Sequence, residues 1–198
     1  DFVSMVSHEL RAPLTNINGG IELVLARARA LSPDARETLG LVQAEIARLT
    51  QFVETILDLS ALDAGRAPIY PAPLYLPNVV VALRRQMTHL AGAERVQWHI
   101  PDDMPELLAD ERAVSSILFH LLDNALKYAP RGMIRISAGA DAAGGWVRVE
   151  DEGDGIAAED LPMLFTRFFR SRSSDAQTVY GHGLGLYIVK RLLEAMNG

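Results

Sequence analysis

Two runs of apolar side chains spaced by three and four residues occupy the first 60 positions, and they restrict the possible folds more than any other feature. Val3, Val6, Leu10, Leu14, Ile17, Ile21, Val24, Ala28 and Leu31 mark one seam; Leu39, Val42, Ile46, Leu49, Val53 and Ile56 mark a second that runs on toward Ser60. That period belongs to α-helices with one apolar stripe each. Between them, Leu31-Ser32-Pro33-Asp34 reads as a tight connection, with Ser32 as N-cap and Pro33 at the first helical position. The expected product is an antiparallel helical hairpin. One hairpin has only two stripes and cannot enclose a core, whereas two hairpins can, as a four-helix bundle. A homodimer follows from that geometry, with a lone hairpin packed on the rest of the chain as the plainer alternative.

One histidine stands off the first seam. At about 100° per residue His8 points away from both Val6 and Leu10, so a helix buried along the seam holds this imidazole toward solvent. Core packing, the commoner fate of a histidine between apolar residues, does not fit the spacing. Pro13 lacks the amide that would bond the carbonyl of Glu9, so the helix is expected to kink one turn past His8. Gly19 and Gly20 loosen the same helix by about 1 kcal/mol each, which reads either as motion or as close helix packing.

Residues 63–77 contain four prolines and one glycine and break the helical period, which marks a domain boundary. The expected division is a helical domain at 1–62, a linker at 63–73 and a second domain at 74–198. In the second domain, 74–76 reads as a short edge strand, 78–90 as a helix, 96–100 as a strand and 110–129 as a longer helix stopped by Pro130. Residues 133–138 and 146–150, joined by 141–145, form a hairpin. Ile134, Ile136, Val147 and Val149 lie on its covered face, and Arg135, Ser137, Arg148 and Glu150 on its wet one. The simplest architecture is an α/β two-layer sandwich.

Composition removes several function classes. A hydrophobic share of 49% over 198 residues is enough for two cores. A net charge of -6 without a basic run argues against a nucleic-acid surface. The absence of cysteine excludes a disulfide framework and thiolate metal sites, which agrees with the cytoplasm. No apolar stretch is long enough to span a bilayer and no signal peptide is present, so no membrane contact is expected within these residues. The chain begins without Met inside a helical pattern and stops at Met196-Asn197-Gly198, so both ends read as cut from a longer protein.

Four segments of the second domain have the chemistry that a purine or a phosphate requires. His120-Leu-Leu-Asp-Asn124-Ala-Leu-Lys127-Tyr128 puts Asn124, Lys127 and Tyr128 within about one helical turn. An amide oxygen suits Mg²⁺, and a lysine supplies a point charge for phosphate, though either alone is usually solvated surface. Asp151-Glu-Gly153-Asp-Gly155-Ile156 closes a strand with two glycines that let a ligand approach and a carboxylate able to accept the amine of adenine. Standing alone it would be an ordinary turn. Leu164-Phe165-Thr-Arg167-Phe168-Phe169-Arg170 reads as a packed hinge beneath a polar phosphate-binding lid at 171–180. Gly181-His-Gly183-Leu184-Gly185-Leu186 opens an amphipathic helix through Ile188, Leu192 and Met196, where free amides and the helix dipole make an anion site. No strand immediately precedes it, as a dinucleotide fold would need.

Ser7-His8-Glu9-Leu10-Arg11-Ala12-Pro13-Leu14 resembles the signature of the dimerisation and phosphotransfer domain of sensor histidine kinases. The four later segments resemble, in order, the N, G1, F and G2 boxes of that family's GHKL-type (Bergerat) ATP-binding domain, so the resemblance spans nearly the whole chain. It implies ATP and Mg²⁺ as cofactors, autophosphorylation of His8, and phosphoryl transfer to an aspartate on a response-regulator receiver domain. It implies a homodimer, and the cytoplasmic part of a longer sensor with or without a membrane anchor elsewhere. Residue by residue, Glu9 is similar to the acceptor of the histidine's other ring proton and Asn124 to the magnesium ligand. Lys127, Tyr128 and Arg170 are similar to nucleotide contacts, and Asp151, beside Gly153 and Gly155, to the adenine-reading carboxylate. Gly181, Gly183, Leu184 and Gly185 are similar to the phosphate-facing segment.

Three departures from the family pattern bear on function. His120 stands where the family often has Asn and where ATP-hydrolysing relatives have a general-base Glu, which favours transfer over hydrolysis. Ala12 stands where bifunctional members carry Thr or Asn to orient a water, so weak phosphatase activity is expected. The family's closing strand has no counterpart before Gly198. Two rivals remain open: a nucleotide-gated binding module without phosphotransfer, and an ATPase that hydrolyses ATP for conformational work.

Overall fold

A computed structural model describes residues 2–27, 31–63, 69–88, 90–142, 144–171 and 181–198; at 2–9, 11, 27, 47, 48, 51, 54 and 58 it describes the backbone alone. The chain forms two compact units, Asp1–Ala67 and Pro68–Gly198. The expected lid at 171–180 and the centre of the expected linker lie mostly outside the described residues.

The first unit is a helical hairpin of α1 (Phe2–Arg27) and α2 (Pro33–Asp63). Ser32 caps α2, its Oγ accepting from the Ala35 amide at 3.2 Å, and Pro33 opens the helix as expected. Each seam divides in two. Ile21, Ile46, Val53, Leu59 and Leu62 are buried, while Leu10, Ile17, Val24, Val42 and Leu49 are exposed at heptad steps. One hairpin covers only the half of each stripe that faces its own partner helix, in keeping with the expectation that a single hairpin cannot enclose a core. Close packing within the hairpin does not account for Gly19 and Gly20, because a Cβ on either would meet nothing within 4 Å.

The second unit contains β1 (Ala72–Leu74), α3 (Leu76–Met87), β2 (Val96–His99), β3 (Leu107–Ala109), α4 (Glu111–Tyr128), β4 (Ile134–Asp141), β5 (Gly144–Asp151) and α5 (Gly185–Ala195). A mixed sheet runs in the order β2-β4-β5, with β2 parallel to β4 and β4 antiparallel to β5; β1 and β3 form a separate antiparallel pair. Alternation sends Ile134, Ile136 and Ala138 into a core shared with Val79, Val80 and Leu83 of α3 and Leu118, Leu122 and Ala125 of α4. The other sheet face exposes Arg135, Arg148 and Glu150. Helices on one face of a sheet are the two-layer sandwich expected from the sequence.

Three boundaries and one short strand differ from expectation. The hairpin pairs out to Asp141 and Gly144, so its connection is shorter than 141–145, and Gly144 takes a φ of +138° at the turn. Helix α3 begins at Leu76 because Pro77 fits the first helical turn, and strand β1 lies earlier, at Ala72–Leu74. Strand β3, only three residues long, leaves too little alternation to detect. The helix expected around Pro13 is present, with Pro13 inside α1.

Candidate active site

Helix α4 is the spine of the site. Asp110 caps it, with Oδ1 accepting from the Ala113 amide at 3.0 Å and Oδ2 from the Tyr70 amide at 2.9 Å. These bonds, led by that from Tyr70, hold its carboxyl below the ordinary carboxylate range despite burial. At the other end, the Arg95 guanidinium donates to the carbonyl of the C-cap Ala129 at 2.6 Å and to that of Gly132 in the following turn at 3.0 Å. Both ends are therefore fixed by partners distant in sequence.

Between those ends, α4 presents His120, Asn124, Lys127 and Tyr128. Gly185, the first residue of α5, faces the first two: a Cβ built on it would stand 3.5 Å from His120 Nδ1 and 3.8 Å from Asn124 Nδ2. The positive end of the α5 dipole is thus brought beside Asn124, which joins an anion-attracting terminus to a candidate metal ligand. Burial lowers the pKa of His120, outweighing the opposite pull of Asp123, so the imidazole is neutral at physiological pH. Lys127 is half-exposed and paired with Asp123 one turn back at 2.5 Å. Such a pair is weak enough for a phosphate to displace.

The G1 turn closes on the C-terminus of α4. A Cβ on Gly153 would meet the Tyr128 carbonyl at 3.0 Å and Asp151 Oδ1 at 2.9 Å, so only glycine fits without displacing the helix end. The Gly153 amide donates to Asp151 Oδ1 at 2.9 Å, orienting the carboxylate at the end of β5. That bond uses one of about four acceptor positions on a carboxylate. Gly155 has a φ of +75° and open space around it, which leaves room for a ligand. Gly181 lies over Tyr128, with a Cβ position 3.8 Å from the hydroxyl.

Gly183 and the buried Leu184 pass over the F-box segment. The φ of Gly183 is +66°, and a Cβ on it would stand 2.5 Å from the Phe169 carbonyl oxygen. Phe168 is itself left-handed, at φ +60°, an arrangement that costs a non-glycine residue about 1–2 kcal/mol. Of the three aromatics expected to pack there, Phe165 and Phe168 are exposed and Phe169 is half-buried. Among the described residues the segment is held by backbone contact with Gly183, and the lid expected to cover it lies mostly outside them. Arg167 supplies a tie that the sequence did not suggest, donating to the Tyr187 hydroxyl at 2.8 Å with its guanidinium carbon 4.8 Å from that ring's centre. Twenty residues separate the two, so no local period could have paired them. The Asp123–Lys127 pair, at i,i+4, was open to such a reading.

The structure therefore brings Asn124, Tyr128, Asp151, Gly153, Gly181, Gly183, Leu184 and Gly185 around α4 and its neighbours. Arg170 is exposed at the end of the F-box segment. The side chains of His8 and Glu9 lie outside the described residues, and the backbone there is helical. Among the described residues no cluster of three or more histidines or carboxylates could hold a metal ion.

The fold is thus a histidine-bearing helical hairpin followed by an α/β sandwich whose glycine turns gather around one helix. The chain belongs to the sensor histidine kinases. Residues 1–65 match the His Kinase A (phospho-acceptor) domain, and 109–198 match the histidine kinase-, DNA gyrase B- and HSP90-like ATPase, an ATP-binding domain. It is 35% identical over 196 residues to the phosphate regulon sensor protein PhoR of Pseudomonas aeruginosa, covering 98% of this chain and 44% of the relative. It is 32% identical over 201 residues to the signal transduction histidine-protein kinase BaeS of Escherichia coli, covering 100% and 42%. The chain thus spans less than half the length of these relatives.

Among solved structures, full-length ShkA in complex with AMPPNP superposes with a TM-score of 0.79 at 27% identity, covering 98% of this chain and 41% of that one. The Acinetobacter baumannii histidine kinase AdeS gives 0.64 at 25% identity, covering 95% and 86%. No helix among the described residues is long and apolar enough to cross a membrane.

Proposed function

We propose that this chain is the catalytic core of a two-component sensor: it phosphorylates itself on His8 from ATP with Mg²⁺ and passes the phosphoryl group to an aspartate of a response-regulator receiver domain. The observation that most directly supports this reading is the convergence on α4, with Gly185 against His120 and Asn124, Gly181 over Tyr128, and Gly153 at the helix end. The AMPPNP held by ShkA supports a nucleoside triphosphate as the ligand.

In the proposed reaction a neutral ring nitrogen of His8 attacks the γ-phosphorus, the bond to the β-phosphate oxygen breaks, and ADP leaves. Glu9 takes the proton from the other ring nitrogen, which keeps the imidazole nucleophilic. Lys127 and Arg170 offset charge on the phosphates, and the α5 terminus with Gly181, Gly183, Leu184 and Gly185 binds them through amides. Asp151 accepts the amine of adenine in the turn formed with Gly153 and Gly155. Bound at Asn124, Mg²⁺ would neutralise phosphate charge. The receiver aspartate then attacks the phosphorus, the bond to the His8 nitrogen breaks, and Glu9 returns its proton to the other ring nitrogen, leaving His8 neutral. His120 stands where ATP-hydrolysing relatives of this family carry a general-base Glu, and that replacement supports transfer over hydrolysis.

The division at 1–62, 63–73 and 74–198 belongs to this reading, as does the homodimer. The exposed heptad-spaced Leu10, Ile17, Val24, Val42 and Leu49 are the face that a second hairpin would cover. The cytoplasm, where ATP and receiver domains reside, is the proposed compartment. Ala12 is exposed on α1 and has no group to orient a water, so phosphatase activity is expected to be weak. Rapid ATP-stimulated loss of phosphate from a phosphorylated receiver domain would contradict that point.

Incubation with γ-labelled ATP and Mg²⁺ tests the central step. Acid-labile, base-stable label is expected on the wild type, with a loss of at least about 1000-fold in His8→Gln. Equal labelling of both proteins removes His8 as acceptor. Steady phosphate release unaffected by His8→Ala points instead to an ATPase.

A further inference from the structure

The Arg167–Tyr187 contact has no part in the reaction above, yet it joins the two segments that must present charge to the phosphates. Tyr187 is the third residue of α5, whose first residue faces His120 and Asn124. Arg167 begins the stretch that ends at Arg170. A hydrogen bond of 2.8 Å and a cation over the ring at 4.8 Å act on the same side-chain pair, so the guanidinium is fixed in direction as well as in distance.

What lies between them explains the need. Phe168 holds φ +60°, a conformation that persists only when its surroundings enforce it. Gly183 presses on the Phe168–Phe169 backbone from one side, its Cβ position 2.7 Å from the Phe168 carbonyl carbon. Arg167, anchored to α5, holds the residue before Phe168. With both supports in place, the path from Arg167 to Arg170 cannot relax to an ordinary right-handed turn, and the base of Arg170 keeps a set position relative to the α5 terminus.

We propose that Arg167 and Tyr187 form a clamp that holds the strained turn at Phe168, and that they are positioning residues which set Arg170 against the terminal phosphate. The assignment of Arg170 rests on the kinase reading above; the clamp itself rests on geometry. Released from the clamp, Arg170 is lost preferentially from the γ-phosphate, so ATP suffers more than ADP.

The test uses Tyr187→Phe, Tyr187→Leu, Arg167→Met and the double variant Arg167→Met/Tyr187→Leu, in the full chain. Binding of ATP and ADP, autophosphorylation rate, and amide exchange across residues 165–171 are measured on each. For Tyr187→Leu the expected result is a roughly tenfold loss of ATP affinity or rate with ADP affinity changed less than about twofold, and faster exchange confined to that segment. Tyr187→Phe keeps the ring and is expected to fall between. The double variant should lose no more than the worse single one, because the partners act as a unit.

Unchanged exchange at 165–171 in Tyr187→Leu overturns the clamp, as do additive losses in the double variant. Equal losses for ATP and ADP overturn the link to Arg170. If the wild type neither binds ATP nor labels His8, the kinase reading and the link to Arg170 fall together, while exchange in the same variants still decides the clamp.

Discussion

Gly183→Ala is expected to remove nucleotide binding while leaving most of the second unit folded. The left-handed φ of +66° costs an alanine about 1–2 kcal/mol, and its Cβ would stand 2.5 Å from the Phe169 oxygen and 2.7 Å from the Phe168 carbon. Those neighbours are backbone, so no side-chain rotation relieves the contact. The 183–185 segment must lift away from 168–169, taking the first turn of α5 from its place beside Asn124. A fall in ATP affinity of at least about 100-fold, or roughly 2.7 kcal/mol, is expected by calorimetric titration.

The other glycines grade that result. Gly153→Ala meets the Tyr128 carbonyl at 3.0 Å and should lose an intermediate amount, whereas Gly181→Ala, 3.8 Å from the Tyr128 hydroxyl, should lose little through packing. Gly185→Ala fits the protein, with its nearest neighbours at 3.5 and 3.8 Å. A large loss of ATP binding there would therefore measure the approach of a phosphate, not strain. Full ATP affinity in Gly183→Ala would mean that the strained crossing is not needed for the site.

The largest effect on stability is expected from Asp110→Ala. It removes the cap of α4 and leaves the Tyr70 amide without its carboxylate partner, two losses of about 1 and 1–2 kcal/mol. A destabilisation of about 2–3 kcal/mol should lower Tm by roughly 6–12 °C in a unit of this size. Asparagine is a poor substitute, because two backbone amides face the two oxygens and its NH₂ would have to oppose one of them.

The pH dependence separates this account from simple loss of packing. Hydrogen bonding depresses the folded pKa of Asp110 below the ordinary value of 3.8. Its contribution is therefore complete well above 3.8 and is lost as pH falls below that value through the folded pKa. The stability gap between wild type and Asp110→Ala, measured by urea denaturation, should be constant near neutrality and narrow in acid below 3.8. A gap independent of pH throughout would show that the carboxylate's charge is not what holds the helix.

The sequence by itself determined the elements whose information is local. Helical period identified α1, α2 and α4, alternation identified the β4–β5 faces, and Ser32-Pro33 marked the start of α2 because capping acts within one turn. Candidate site residues could also be named from sequence, since glycines, Asn124 and Asp151 occur in short ordered motifs whose chemistry is tied to their spacing. What remained hidden depended on partners far along the chain. The three-residue β3 exists only because β1 pairs with it. The division of each hairpin seam into covered and exposed halves depends on the direction of the neighbouring helix, which the period alone does not give. Only the tertiary structure decided that Gly183 must be glycine to cross Phe169, that Asp110 serves Tyr70 as well as its own helix, and that Arg167 reaches Tyr187. The physical reason is common to all three: sequence pattern records a residue's preference for water or core and for its own backbone angles, whereas steric exclusion and hydrogen bonding act between atoms that folding alone brings together.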